Sequence, residues 1–141
     1  VANQSFISSV RSHLFRLQPE QDLKQEISKY CKINNLQAAS VSSVCGSLKR
    51  AKLRLADGVT SQNFEGPFDI VSMMGTVGIQ GLHLHIALAD SRGHVVGGHL
   101  MEGCPIYTTA EIVLAEHLDL SFDRIHDDAT GYKELVIKKR S

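Results

Sequence analysis

The stretch Gly81-Leu82-His83-Leu84-His85-Ile86-Ala87-Leu88-Ala89-Asp90-Ser91-Arg92-Gly93-His94-Val95-Val96-Gly97-Gly98-His99-Leu100 reads as two strands joined by a tight reversal. A three-residue loop, Ser91-Arg92-Gly93, fits a type I turn that ends in a left-handed glycine, a common hairpin connection. That loop pairs Asp90 with His94 and so places His85 opposite His99, with His83 diagonal to it. The same register gathers Leu84, Ile86, Leu88, Val96 and Leu100 on the other face, which a sheet needs to bury. A two-residue loop would drop His99 among the leucines, because a slip of one residue exchanges the two faces of a strand. The hydrophobic pattern therefore selects the register that clusters the three histidines.

Opposite residues on paired strands have Cβ atoms about 5 Å apart, and diagonal ones about 7–8 Å. Three imidazoles at that spacing can converge on one ion, with bonds of about 2.0–2.1 Å. His83, His85 and His99 are thus the expected metal ligands. Zn²⁺ is the first choice, and another divalent transition ion such as Cu²⁺, Ni²⁺ or Fe²⁺ suits imidazole as well. No fourth protein ligand is evident, and an open coordination sphere suits catalysis or ligand capture, whereas structural zinc is usually closed by four protein ligands. Ala87 and Gly97 face each other beside the histidines and leave a hollow for a water or ligand. Glu111 is the candidate acid/base residue, with Glu102 behind it, although a solvated carboxylate explains either equally well. No organic cofactor site is expected. His94, His13, His117 and His126 are read as exposed, His117 having a route to the site if the last strands fold over it.

Outward from the hairpin, the chain reads as one domain over residues 10–138, between tails 1–9 and 139–141. Its 141 residues are 43% hydrophobic, enough for one core. A short strand over Ser12–Leu17 precedes a helix that starts at Pro19 and stops at Asn34-Asn35, with Leu23, Ile27 and Tyr30 at helical spacing. Strands are expected over 38–44 and 48–55, with a bend at Gly46, and over 68–77, 82–89, 94–101, 106–117, 118–125 and 135–137. Residues 56–67 lack periodicity and read as a loop long enough to carry function. One early helix followed by many strands on short turns is an α+β, largely antiparallel pattern.

Composition excludes several classes. Fifteen basic residues balance fifteen acidic ones, so the counterion-releasing positive field of a general nucleic-acid binder is missing. Lys49-Arg50-Ala51-Lys52 and Lys138-Lys139-Arg140 read as a solvated strand edge and a frayed tail. No apolar run reaches the length of a membrane span, and residues 1–5 do not resemble a secretory signal. Cys31, Cys45 and Cys104 form no disulfide pattern and are expected to be reduced and buried. An intracellular, cytoplasmic protein with no membrane partner is the expectation. A cupin would place a Glu shortly after His-x-His, where Ala87 to Asp90 stand. The barrel hydrolases that begin with His-x-His need about 250 residues.

Several of these residues also carry a resemblance. The run Gly81-x-His83-x-His85, the turn Asp90-Ser91-Arg92-Gly93, Val95-Val96-Gly97-Gly98-His99-Leu100, Gly103 and Ala110-Glu111-Ile112 resemble the plants-and-prokaryotes-conserved (PPC) domain. Leu17-x-Pro19-x-x-Asp22-Leu23, Ser43-Val44-Cys45-Gly46-Ser47 and Phe68-Asp69-Ile70-Val71-Ser72-Met73-Met74-Gly75-Thr76 extend the likeness over about residues 10–138. The resemblance implies a seven-stranded antiparallel sheet with flanking helices, a homotrimer, and zinc held by the three histidines. Plant members of that family carry AT-hooks and regulate transcription, which implies a DNA-binding module as the alternative function. This chain has no Arg-Gly-Arg-Pro hook for a minor groove, and Gly66-Pro67-Phe68-Asp69-Ile70-Val71 replaces the plant hexapeptide Gly-Arg-Phe-Glu-Ile-Leu. It resembles the stand-alone type, for which a small-molecule ligand or a metal-dependent reaction fits an open site.

Overall fold

Leu23, Ile27 and Cys31 recur every fourth residue, and in the computed structural model, which describes residues 3–141, they are the buried stripe of helix α1 (Leu23–Ile33). Burial of a side chain like Leu23 or Ile27 contributes about 1.5–3 kcal/mol. Asp22 caps the helix by accepting from the Gln25 amide. Its other carboxylate oxygen accepts from the amides of Gly103 and Cys104, at 2.8 and 2.7 Å. One side chain thus starts the helix and ties it to a distant connection. Asn34 closes the helix, and Asn35 takes the left-handed conformation at φ 50°.

The remaining elements are strands: β1 (Val10–Leu17), β2 (Ala39–Arg54), β3 (Ser61–Gly78), β4 (Gly81–Ala89), β5 (Val95–Leu100), β6 (Ile106–His117), β7 (Leu120–Asp127) and β8 (Tyr132–Lys139). The first six form one sheet in the order β1-β6-β2-β3-β4-β5, and every pairing in it is antiparallel. The far end of β2 also pairs with β5, Leu53 with Leu100 and Arg54 with His99. Strands β2, β3, β4 and β5 therefore close on themselves. Register breaks in β2 near Val41/Ser43, Gly46/Leu48 and Leu48/Arg50, and in β3 near Ile70/Ser72, let these long strands bend far enough to close. Inside lies one core that includes Leu48, Leu53, Met73, Leu84, Leu88 and Leu100.

The expected α+β character and antiparallel pairing are present, but among the described residues the sheet has six strands rather than seven, and a single helix flanks it. Strands β7 and β8 pair only with each other. Their apolar residues Leu120, Phe122, Leu135 and Ile137 pack by a face around Ala38 in a second small cluster. Face packing satisfies that hairpin without a shared edge. Among the described residues, no helix is long and apolar enough to cross a membrane.

Residues 56–67 are mostly strand rather than loop, since β3 begins at Ser61 and pairs Gln62, Asn63 and Phe64 with Leu53, Lys52 and Ala51. Their polar character hid the alternation, because this end of the hairpin is largely solvent-facing. The basic tail is also ordered: Arg140 donates to the carbonyls of Leu120 and His117. Cys31 and Cys104 are buried, and burial pushes both thiols up to about 11, whereas Cys45 is exposed against expectation. It lies on the solvent face of β2, opposite Glu111.

Candidate metal centre

The β4–β5 hairpin has the three-residue loop. Asp90 and His94 are joined by a backbone hydrogen bond of 2.9 Å, the Gly93 amide donates to the Asp90 carbonyl, and Gly93 has φ 80°. The Asp90 carboxylate accepts from the amides of Arg92 and His94, which braces the turn. His85 stands directly opposite His99, and Ala87 opposite Gly97. Leu84, Ile86, Leu88 and Leu100 are buried on the other face. The apolar side chains choose the register, and the register turns the three imidazoles outward together.

The ring centroids of His83, His85 and His99 lie 5.0, 5.5 and 5.8 Å apart in pairs. One ring nitrogen from each lies within 4.8 Å of the others. Ligand nitrogens around a tetrahedral ion with bonds of about 2.0–2.1 Å sit about 3.4 Å apart, so small side-chain rotations complete the approach. Burial, then the charges of Arg124 and His85, lowers the His83 pKa. Burial, then Arg54 and His83, pushes His99 down to about 4. Both rings are therefore neutral near pH 7, the form that binds metal. The donor set and its spacing fit a divalent transition ion.

The histidines open into a cavity of about 810 Å³, which Arg54, Arg124 and Glu134 also line. Gly97 lines it as expected, with Gly98 beside it, whereas Ala87, the other small residue expected at the hollow, does not. Arg54 and Arg124 escaped sequence reasoning. Arg54 reads as one polar residue in an alternating strand, and only the closure of β2 onto β5 brings it opposite His99. Arg124 lies on the separate β7–β8 hairpin and reaches the site by donating to Thr76 Oγ1 at 2.8 Å. No local pattern signals either placement.

The other candidates are dispersed. Glu111 is exposed on β6 opposite Arg16 and Cys45 and does not line the cavity. Glu102 is exposed and accepts from Gln25 at 3.2 Å. His117 shares a hydrogen bond of 3.0 Å with Ser40, away from the three-histidine cluster. His94 and His126 are exposed as expected. His13 is instead half-buried between the Tyr30 hydroxyl and the Glu116 carboxylate, each 2.8 Å away, because its outward neighbours on β1 leave it facing the helix.

Comparison with known proteins places this arrangement in a family. Two curated relatives from Synechococcus are both called bifunctional protein GlmU. The one from strain JA-3-3Ab is 48% identical over 131 residues, 93% of this chain and 21% of the relative. The chain thus spans about a fifth of the length of the curated relatives it matches. A solved structure of a hypothetical protein from Salmonella enterica is 35% identical, with a TM-score of 0.95, covering 98% of this chain and 100% of that one. A metal-containing protein from Archaeoglobus fulgidus shares the fold at 23% identity and a TM-score of 0.84, covering 95% of this chain and 99% of that one. The family model of the Plants and Prokaryotes Conserved (PCC) domain matches residues 4–118, which include β1 to β6 and all three clustered histidines, and the chain belongs to that family.

Proposed function

We propose that this protein is a metal-binding PCC-domain protein in which His83, His85 and His99 hold one divalent transition ion, zinc first among them, with a coordination position left open to the cavity. The observation that carries this reading is the convergence of three imidazole nitrogens within 4.8 Å on one hairpin face. The name of the Archaeoglobus relative, a metal-containing protein, supports it. An ion there would act as a Lewis acid or lower the pKa of a bound water, so the site serves capture or conversion of a small molecule. The protein's own part is to present the three rings together on one face, with His83 and His99 held neutral, in a cavity whose wall includes residues of the β7–β8 hairpin. Elemental analysis of protein purified without a His-tag should find close to one metal per chain, and replacing all three histidines by alanine should abolish it. Folded wild-type protein that neither contains nor takes up Zn²⁺ would overturn the reading.

The domain is further proposed to assemble as a homotrimer. Exposed Leu14, Val71, Met74 and Val95 supply apolar surface that a neighbouring subunit can cover. Light scattering on the eluting protein should then give about three times the chain mass of 15.5 kDa. A monomer at all concentrations would exclude it. The DNA-binding alternative predicts steep loss of duplex binding with salt; the balanced charge of the chain favours the metal reading.

A further inference from the structure

Two arginines frame the histidine cluster, one paired directly with a histidine and the other joined to a histidine's ladder partner. Arg54 pairs with His99 across β2 and β5. Arg124 donates to Thr76 Oγ1 at 2.8 Å, and Thr76 pairs with His83 across β3 and β4. Both arginines are half-buried and both line the cavity. Among the described residues, neither forms an ion pair with a carboxylate. Two acids also line the cavity, and each spends hydrogen bonds on its own loop or hairpin rather than on an arginine. Asp57 is engaged by its own loop, accepting from the Val59 and Thr60 amides and the Thr60 hydroxyl. Glu134 accepts from Thr130 at 2.9 Å. Lys133 adds a third positive charge to the wall.

Partial burial of a guanidinium costs desolvation that a partner normally offsets. Its planar fork matches carboxylate and phosphate oxygens and holds them with two parallel hydrogen bonds. A cavity of about 810 Å³ falls in the ~300–1,000 Å³ range of small-molecule sites. The two arginines come from different parts of the chain. Arg54 lies within the family match, and Arg124 on the hairpin beyond residue 118. The pocket's charge is therefore assembled by docking that hairpin against the histidine face.

We propose that the ligand of this cavity is a small molecule bearing a carboxylate or phosphate group, whose charge is held by Arg54 and Arg124 beside the three histidines. The inference rests on the metal reading above and names the class of ligand for that site.

Cobalt(II) makes the test visible, because its d–d absorption changes with the groups around it. Wild-type protein loaded with Co²⁺ in low-chloride buffer is titrated with inorganic phosphate and, separately, with acetate. The expected result is a saturable spectral change with at least one of the two, and the tighter anion identifies the group. R54Q and R124Q should bind Co²⁺ at least as tightly as wild type, since each removes a positive charge beside the site, and bind the anion at least about tenfold more weakly. R54K and R124K, which keep the charge and lose the fork, should fall between. Wild-type protein that takes no Co²⁺ defeats the metal reading and this inference with it. Co²⁺ uptake with no response to either anion, or an equal response in wild type and both glutamine variants, overturns the inference and leaves the metal reading standing. Should R124Q fail to fold through loss of its bond to Thr76, R54Q and R54K decide the question.

Discussion

Glu116 and His99 show how single residues set the acid sensitivity of this protein. Glu116 is 3% exposed, and burial alone would raise its pKa. Hydrogen bonds from His13 and Arg11 outweigh that effect and lower it, with Arg140 3.7 Å away. A carboxylate held below its unfolded value stabilises the fold above that value and loses the contribution as pH falls through the folded one. His99 acts in a higher window. Its ring titrates near 4 when folded, against an ordinary value of 6.5, so between these values the unfolded chain binds more protons. Its stabilisation is complete above about 6.5 and declines toward 4. Metal-free protein should therefore melt progressively lower as pH drops from 7 to 4. A His99→Asn variant should show a flatter decline between 6.5 and 4.5. Calorimetric melts in chelator across that range check it, and an unchanged slope would mean that His99 is not the group responsible.

At the scale of elements, the β4–β5 hairpin depends on two glycines for different reasons. Gly93 holds φ 80° at the turn, and a Cβ there would meet no atom within 4 Å. Gly93→Ala should cost only the left-handed backbone, about 1–2 kcal/mol, and leave metal affinity unchanged. A Cβ at Gly98 would stand 2.7 Å from the Arg54 carbonyl oxygen. Gly98→Ala must push β5 away from the end of β2, next to His99. It should cost about 1–3 kcal/mol as overpacking and weaken metal uptake as well. Urea unfolding with zinc titration of both variants separates the two effects. Equal metal affinity in both would show that the β2–β5 closure does not position His99.

For the whole molecule, the main division is between the six-stranded sheet, closed through β2 to β5, and the β7–β8 hairpin. The hairpin is held by a small cluster of Ala38, Leu120 and Phe122 with Leu135 and Ile137, by the Phe122 amide on the Gln37 carbonyl, and by Arg140. All three candidate metal ligands lie on β4 and β5, while the hairpin adds Arg124, Lys133 and Glu134 to the cavity wall. Phe122→Ala removes the largest side chain of that cluster. Limited proteolysis should then cut within residues 119–141 at least several-fold faster, while amides of β2 to β5 keep their protection and zinc uptake persists. Loss of zinc uptake in this variant would make the hairpin part of the metal site itself.

The sequence alone determined the histidine face. Side chains alternate on a strand, so the leucines that must be buried dictate where His83, His85 and His99 point, and Gly93 supplies the turn that sets the register. The apolar spacing of Leu23 and Ile27 and the stop at Asn34 also placed the helix, but it begins at Leu23 rather than Pro19, because Asp22 caps it instead of lying in its first turn. The tertiary structure alone decided what surrounds the histidines. Arg54 meets His99 because bulged strands curve until β2 pairs with β5, and Arg124 meets Thr76 because a separate hairpin packs by its face. Topology also puts Glu111 on β6 opposite Cys45 of β2, outside the lining of the histidine cavity. Pairings between distant strands depend on closure and on the sum of side-chain packing, and no short stretch of sequence names its partner across a sheet.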